Sequence, residues 1–203
     1  MASMSIRCAG LALALTLVAA PVWAQGKPSF AEIGAKTQAV ADRYFSAYVA
    51  RDWDRLEPLL ADNGGFSDPT ASLVFGSVQA AGKAATLKNF REGYAAIRHM
   101  AFHPMRSFVS GEHAVFEGTL DWTLELKGGK QAVTQGMPFI TVLRVVEGQV
   151  LEHRDFADYS PFLALRLYRG RLGITVETDL IPSYPIGGAE RPAGCLPCEA
   201  LVI

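Results

Sequence analysis

Four side chains in this sequence have the type and setting that proton chemistry uses: Tyr44, Asp68, Asp121 and Asp155. Asp155 lies near the end of the run Val150–Tyr159, which reads as one strand behind the turn at Glu147-Gly148. Alternation puts Val150, Glu152, Arg154 and Phe156 on one face and Leu151, His153, Asp155 and Ala157 on the other. A carboxylate among apolar neighbours is either paired or has a raised pKa, and such groups are candidates for proton transfer. The competing reading is a strand end whose Arg154, Asp155 and Asp158 are solvated charges. His153 shares the face of Asp155, either as a proton-relay partner or as a plain pocket wall.

The other three candidates are read in the same way. Asp68 precedes Pro69, which makes it a pocket carboxylate or an ordinary strand-ending turn. Asp121 alternates with Glu117, Thr119, Thr123 and Glu125, opposite Phe116, Leu120, Trp122 and Leu124. A strand that keeps register shows it to solvent or a partner subunit, and only a bulge would turn it inward. Tyr44 sits on the apolar stripe of a helix with Val40 and Tyr48, as a core tyrosine or as a hydrogen-bond donor. His99 and His103 have an i, i+4 spacing that suits a metal on a helix, but their segment reads as a strand, which sets them far apart.

The elements that must position these groups come in two blocks. Ser29–Arg51, Trp53–Leu60 and Gly82–Ile97 carry apolar residues at helical spacing, with Asp52 placed to cap the second helix. Asn63-Gly64-Gly65 reads as a turn, and Phe66-Ser67-Asp68 as a short strand stopped by Pro69. From His99 the pattern alternates: 99–109, 113–126, 131–146 and 150–159 read as strands joined by glycine turns. Helices followed by an antiparallel meander predict an α+β fold, a curved antiparallel sheet wrapped around the helices as a cone-shaped α+β barrel with an open mouth.

Composition narrows the function classes. The chain has 203 residues, 50% of them hydrophobic, and a formal net charge of -1, which suits one domain and gives no basic footprint for nucleic acid. Residues 1–24 read as a signal peptide: Arg7, an apolar run over 9–20, then Pro21 and Val22-Trp23-Ala24 before the expected cleavage. The run is too short to span a bilayer, so the mature protein is expected to be periplasmic or secreted. Cys195-Leu-Pro-Cys198 suits a local disulfide or free thiols better than a redox motif, and two ligands are too few for structural zinc. The expected domain is 25–172, with an irregular tail over 173–203, rich in glycine and proline.

Element order and turn spacing over roughly Ile33–Phe162 resemble the nuclear transport factor two-like superfamily. The nearest patterns are those of SnoaL-like polyketide cyclases, ketosteroid isomerases and limonene epoxide hydrolases. In the isomerase pattern Tyr44 falls at the oxyanion-hole tyrosine and Asp68 of Phe66-Ser67-Asp68-Pro69 at the general base, while Thr141 stands where that family has a second, protonated aspartate. The isomerase is itself a standard example of this acid–base logic. His153-Arg154-Asp155-Phe156-Ala157-Asp158 is similar to the epoxide hydrolase strand Trp-Arg-Asp-Tyr-Phe-Asp, and Thr119-Leu120-Asp121 to its Arg-x-Asp strand. The arginine between the two carboxylates is replaced by Thr119, and Phe66 and Asp68 replace the Tyr and Asn that hold the water.

The resemblance implies an apolar pocket lined by residues such as Phe45, Phe66, Phe90, Phe139, Leu143 and Phe156. Within it, Asp68 or Asp155 would be the base and Tyr44 the donor to a developing oxyanion, acting without a cofactor on a small hydrophobic carbonyl compound. The alternative is a non-catalytic ligand-binding or dimerisation domain, with homodimers formed through the exposed face of the sheet, Trp122 included.

Overall fold

The structure is a computed structural model and describes residues 27–164. The expected signal segment, the Cys195–Cys198 pair and the tail from 173 lie outside the described residues. Helix α1 (Phe30–Ala50) opens on a capping box in which the Ser29 side chain accepts from Glu32 N–H and the Glu32 carboxylate accepts from Ser29 N–H at 2.7 Å. It buries Thr37, Val40, Ala41, Tyr44, Phe45 and Tyr48, the stripe that helical spacing dictates. A short helix α2 (Trp53–Leu56), capped by Asp52 as expected, runs into a 3-10 turn at Glu57–Leu59 and then into β1 (Leu60–Asp68).

The chain continues through α3 (Ser72–Phe75), β2 (Val78–Ala81) and α4 (Lys83–Gly93). The meander follows as β3 (Ile97–Ser110), β4 (His113–Glu125), β5 (Gln131–Val146) and β6 (Gln149–Ala157). The six strands form one sheet in the order β2-β1-β6-β5-β4-β3. The fold is α+β as expected, but two features differ. The sheet is mixed, because β1 lies parallel to β6, and it is open, with β2 and β3 at its edges. Asn63-Gly64-Gly65 is no turn either. These residues lie inside β1, where the pairing with β6 jumps between Leu60 and Gly65. Gly64 is required there because a Cβ would come within 2.8 Å of the Ala61 carbonyl oxygen and the Leu60 side chain.

Two bulges aim the side chains that matter. In β6 the pairs Val145–Val150 and Arg144–Glu152 leave Leu151 without an opposite residue, so Val150 joins His153, Asp155 and Ala157 as the buried set. In β5 the step from Met137 to Thr134 opposite Leu120 and Trp122 leaves two residues facing Asp121, and Gly136 takes φ +65°. Phe45 stacks on Phe116 at 4.3 Å and meets Phe102 edge-on at 4.9 Å, tying α1 to the meander.

Gly118 in β4 is the tightest point of this packing. A Cβ there would collide with the His103 carbonyl oxygen and come within 2.8 Å of the Phe102 ring. Gly118→Ala is therefore expected to cost about 1–3 kcal/mol through overpacking. In urea denaturation this would appear as a lower midpoint with an unchanged slope.

Candidate functional site

The interior carries polar side chains in two groups: Tyr44, Tyr48, Thr141, His153 and Asp155 in one, and Asp68 with Tyr159 in the other. Asp155 is 1% exposed. Its Oδ1 accepts from Thr141 Oγ1 at 2.6 Å and from His153 Nε2 at 2.8 Å, and its Oδ2 accepts from Tyr48 OH at 2.5 Å. Sequence placed each donor without naming the set. Thr141 is the cross-strand partner of Asp155 on β5, His153 is two residues back on the same face, and Tyr48 comes from the inward stripe of α1. Three donors replace the water that a buried carboxylate loses. Of the two readings open to Asp155, the structure makes it the paired one.

His153 is also fully buried, and its Nδ1 lies 3.2 Å from Tyr44 OH. Because Asp155 accepts at Nε2, the consistent neutral tautomer carries its proton on Nε2 and takes the Tyr44 hydroxyl proton at Nδ1. Its ring packs edge-on against Tyr44, Tyr48 and Phe66, which fixes the plane. Burial, then the Asp155 charge, push the phenols of Tyr44 and Tyr48 well above their ordinary value, so both stay protonated as donors.

Asp68 stands apart from this cluster. Its Oδ1 accepts from Ala71 N–H at 2.9 Å and from Thr70 Oγ1 at 2.5 Å, and its Oδ2 accepts from Tyr159 OH at 2.6 Å. Thr70 is in turn fixed by the Ala157 amide at the end of β6. Tyr159 is held protonated by burial and then by the Asp68 charge. Pro69 ends β1, so the carboxylate is delivered at a strand end and clasped by the turn that follows.

A cavity of about 220 Å³ opens between these groups. Asp68, Tyr159, Tyr94, Trp122, Phe75 and Ile97 are among its walls. Of the four expected site residues, only Asp68 lines it. Tyr44 and Asp155 are brought together through His153 but lie behind the wall, and Asp121 is elsewhere. Of the six apolar residues expected to line the pocket, Phe66 does; Phe45, Phe90, Phe139 and Leu143 pack into the core, and Phe156 is half-buried on the other face of the sheet. Trp122 is not on the exposed sheet face. It is 7% exposed and faces the cavity, and its indole N–H has no partner among the described residues. Tyr94 and Tyr159 were missed as wall residues: Tyr94 falls on the apolar period of its helix and so reads as core, and Tyr159 is a single aromatic residue just beyond a strand end.

Asp121 keeps to the face that alternation assigned. Its Oδ1 accepts from Gly136 N–H at 2.7 Å and its Oδ2 lies 2.9 Å from His103 Nε2. A bulge is present, but it lies on β5, and Asp121 caps it instead of turning inward.

The arrangement defines the class. Helices on one side of an open mixed sheet, with polar groups at the end of the first long strand, make an α+β fold of the nuclear transport factor two-like type. The chain belongs to the SnoaL-like domain family, which matches residues 41–153, more than half its length. It is similar in structure to a protein described as a SnoaL-like polyketide cyclase from Shewanella putrefaciens CN-32, with 21% identity and a TM-score of 0.56 over 64% of this chain and 97% of that one. An NTF2-like protein of unknown function from Burkholderia pseudomallei K96243 gives 21%, 0.53, 64% and 96%. An LEH-like epoxide hydrolase from M. tuberculosis gives 18%, 0.51, 70% and 97%. Identities this low show the fold alone. No curated protein matches the sequence.

Two outcomes follow from the geometry. Asp155→Ala strands the Tyr48, Thr141 and His153 donors in the core and is expected to cost at least about 3 kcal/mol in urea denaturation. At Asp121 the Gly136 amide, and secondarily His103, hold the carboxyl below its ordinary value of 3.8. A depressed folded pKa contributes stability above the unfolded value, and that stability is lost as pH falls through the folded one. Melting temperature followed from pH 5 downward should therefore fall less steeply in Asp121→Asn than in the wild type.

Proposed function

We propose that the protein takes a small, mainly apolar carbonyl compound into the aromatic cavity and moves a proton on it without a cofactor, with Asp68 as the base. The observation that carries this reading is the carboxylate of Asp68 on the wall of the cavity, 5% exposed and oriented by three donors. A base with a fixed direction in a water-poor, apolar cleft is what removal of a proton alpha to a carbonyl needs. The partnerless N–H of Trp122 supplies the kind of donor that a carbonyl oxygen, and more strongly an enolate, would take up. Asp68 also occupies the position that the isomerase pattern gives its general base.

A second reading is a binding domain without catalysis. It is favoured by Tyr44, the expected oxyanion donor, which faces His153 instead of the cavity. Two further expectations belong to the same proposal. Residues 1–24 would direct export to the periplasm or beyond. The outer face of the sheet, where Phe108 is 53% exposed beside the ion pair of Arg106 and Glu117, would pair two copies. Light scattering on the mature chain reads the mass.

The test uses 2-indanone, a small aromatic ketone, in D2O. The wild type is expected to speed exchange of its alpha protons, followed by proton NMR. Asp68→Asn should lower that rate at least about 100-fold, and Tyr44→Phe should leave it nearly unchanged. Binding of the ketone with no exchange above buffer would favour the second reading.

A further inference from the structure

The hydrogen bonds on Asp68 are unequal at its two oxygens. Oδ1 accepts from the Ala71 amide and from Thr70 Oγ1, so both of its lone pairs are taken. Oδ2 accepts from Tyr159 OH alone among the described residues, and one lone pair stays open. The two sides are also held differently. Thr70 Oγ1 is itself pinned by the Ala157 amide, and the Ala71 amide belongs to the turn after Pro69, so backbone fixes Oδ1. The group at Oδ2 is a side chain, and Tyr159 stands with Asp68 on the cavity wall.

We propose that Asp68 Oδ2 is the atom that takes the ligand's proton and that Tyr159 is its positioning residue, setting both the direction of the open lone pair and the strength of the base. This deepens the reading of Asp68 as the base and rests on it. In the step, the C–H bond alpha to the carbonyl breaks and its proton goes to Oδ2. The electron pair stays on the ligand and passes to the carbonyl oxygen as an enolate. One negative charge thus moves from Asp68 to the ligand, and nothing else is consumed. Tyr159 keeps its own proton throughout, because burial and then the Asp68 charge oppose its ionisation.

Two further features fit Tyr159 to this role. Its ring meets Phe75 edge-on at 5.7 Å and lies 6.0 Å from Trp122, so two other wall residues fix the plane from which the hydroxyl reaches Oδ2. A hydrogen bond to a carboxylate stabilises the charged form relative to the neutral one, so a donor lost or strengthened at Oδ2 changes how readily Asp68 takes a proton. The other titratable groups around this point are Glu92 on α4, Tyr94 just after it, Glu125 at the end of β4 and Asp155 on β6. A change of the Tyr159 hydroxyl alone leaves all four in place, so its effect is read at Asp68.

The test follows alpha-proton exchange of 2-indanone in D2O against pH and ketone concentration, in the wild type and in Tyr159→Phe, which keeps the ring. In the variant the rate at saturation should fall about 10-fold with KM nearly unchanged. The acid limb of its pH profile should move up by about one pH unit, the loss of one donor to a charged group. Tyr159→3-fluorotyrosine carries a more acidic phenol and so a stronger donor. It should move the limb down, and it gives the reading if Tyr159→Phe fails to fold. An acid limb that stays in place in the variants overturns the role of Tyr159, and if Asp68→Asn still loses the exchange, Asp68 stands as the base without it. A raised KM with an unmoved limb overturns it too and leaves Tyr159 a part of the wall only. Absence of exchange in the wild type removes the reading of Asp68 as the base and this proposal together.

Discussion

A carboxylate sealed from water is tolerable only where fixed donors replace its hydration. Asp155 meets that condition with donors from two strands and one helix: Thr141 from β5, His153 from β6 and Tyr48 from α1. The three can converge only if α1 lies across the sheet at one rotation and β6 keeps one register against β5. The edge-on contacts of His153 with Tyr44, Tyr48 and Phe66 brace the same point from the helix and from β1. The polar cluster thus specifies how the helix sits on the sheet, while the Phe45–Phe116 stack and its neighbours supply the apolar burial.

The placement of the cavity follows from this arrangement. With the inner face of β6 taken up by His153 and Asp155, space is left toward the ends of β1 and β4, where Asp68, Trp122 and Tyr159 come together. The two carboxylates differ in their access to a ligand. Asp68 lies on the wall, clasped by its own turn, whereas Asp155 lies behind it, held by Tyr48, Thr141 and His153. Two groups of the same chemistry are thus given different surroundings, one on a cavity wall and one sealed among fixed donors.

Much of this order was legible in the residues. The stripe of α1, the alternation of β3 to β6 and the shared face of His153, Asp155 and Ala157 are periodic signals, and they survive folding because one face must be buried. The capping role of Asp52 follows from local chemistry. What was not legible depends on non-local pairing. That β6 would lie parallel to β1 and make the sheet mixed is not written in either strand, and a glycine pair that normally marks a turn was absorbed into β1 by a jump in register. The bulge at Leu151 moved Val150 to the other face, and the bulge at Gly136 found its partner in Asp121. The site suffered most, since Tyr94, Trp122 and Tyr159 become neighbours only after the sheet has curved around them.

The central claim is that a ligand occupies the space between Asp68 and Tyr94, in front of the buried Asp155 cluster. The most direct measurement is a crystal structure of the protein soaked with 2-indanone. The account predicts the ketone in the cavity, its methylene carbon against Asp68 and its ring against Trp122 or Phe75. A ketone found instead in the open groove on the outer side of β1 and β6, beside Ser67, Glu152 and Arg154, with the cavity closed by its own side chains, would contradict it.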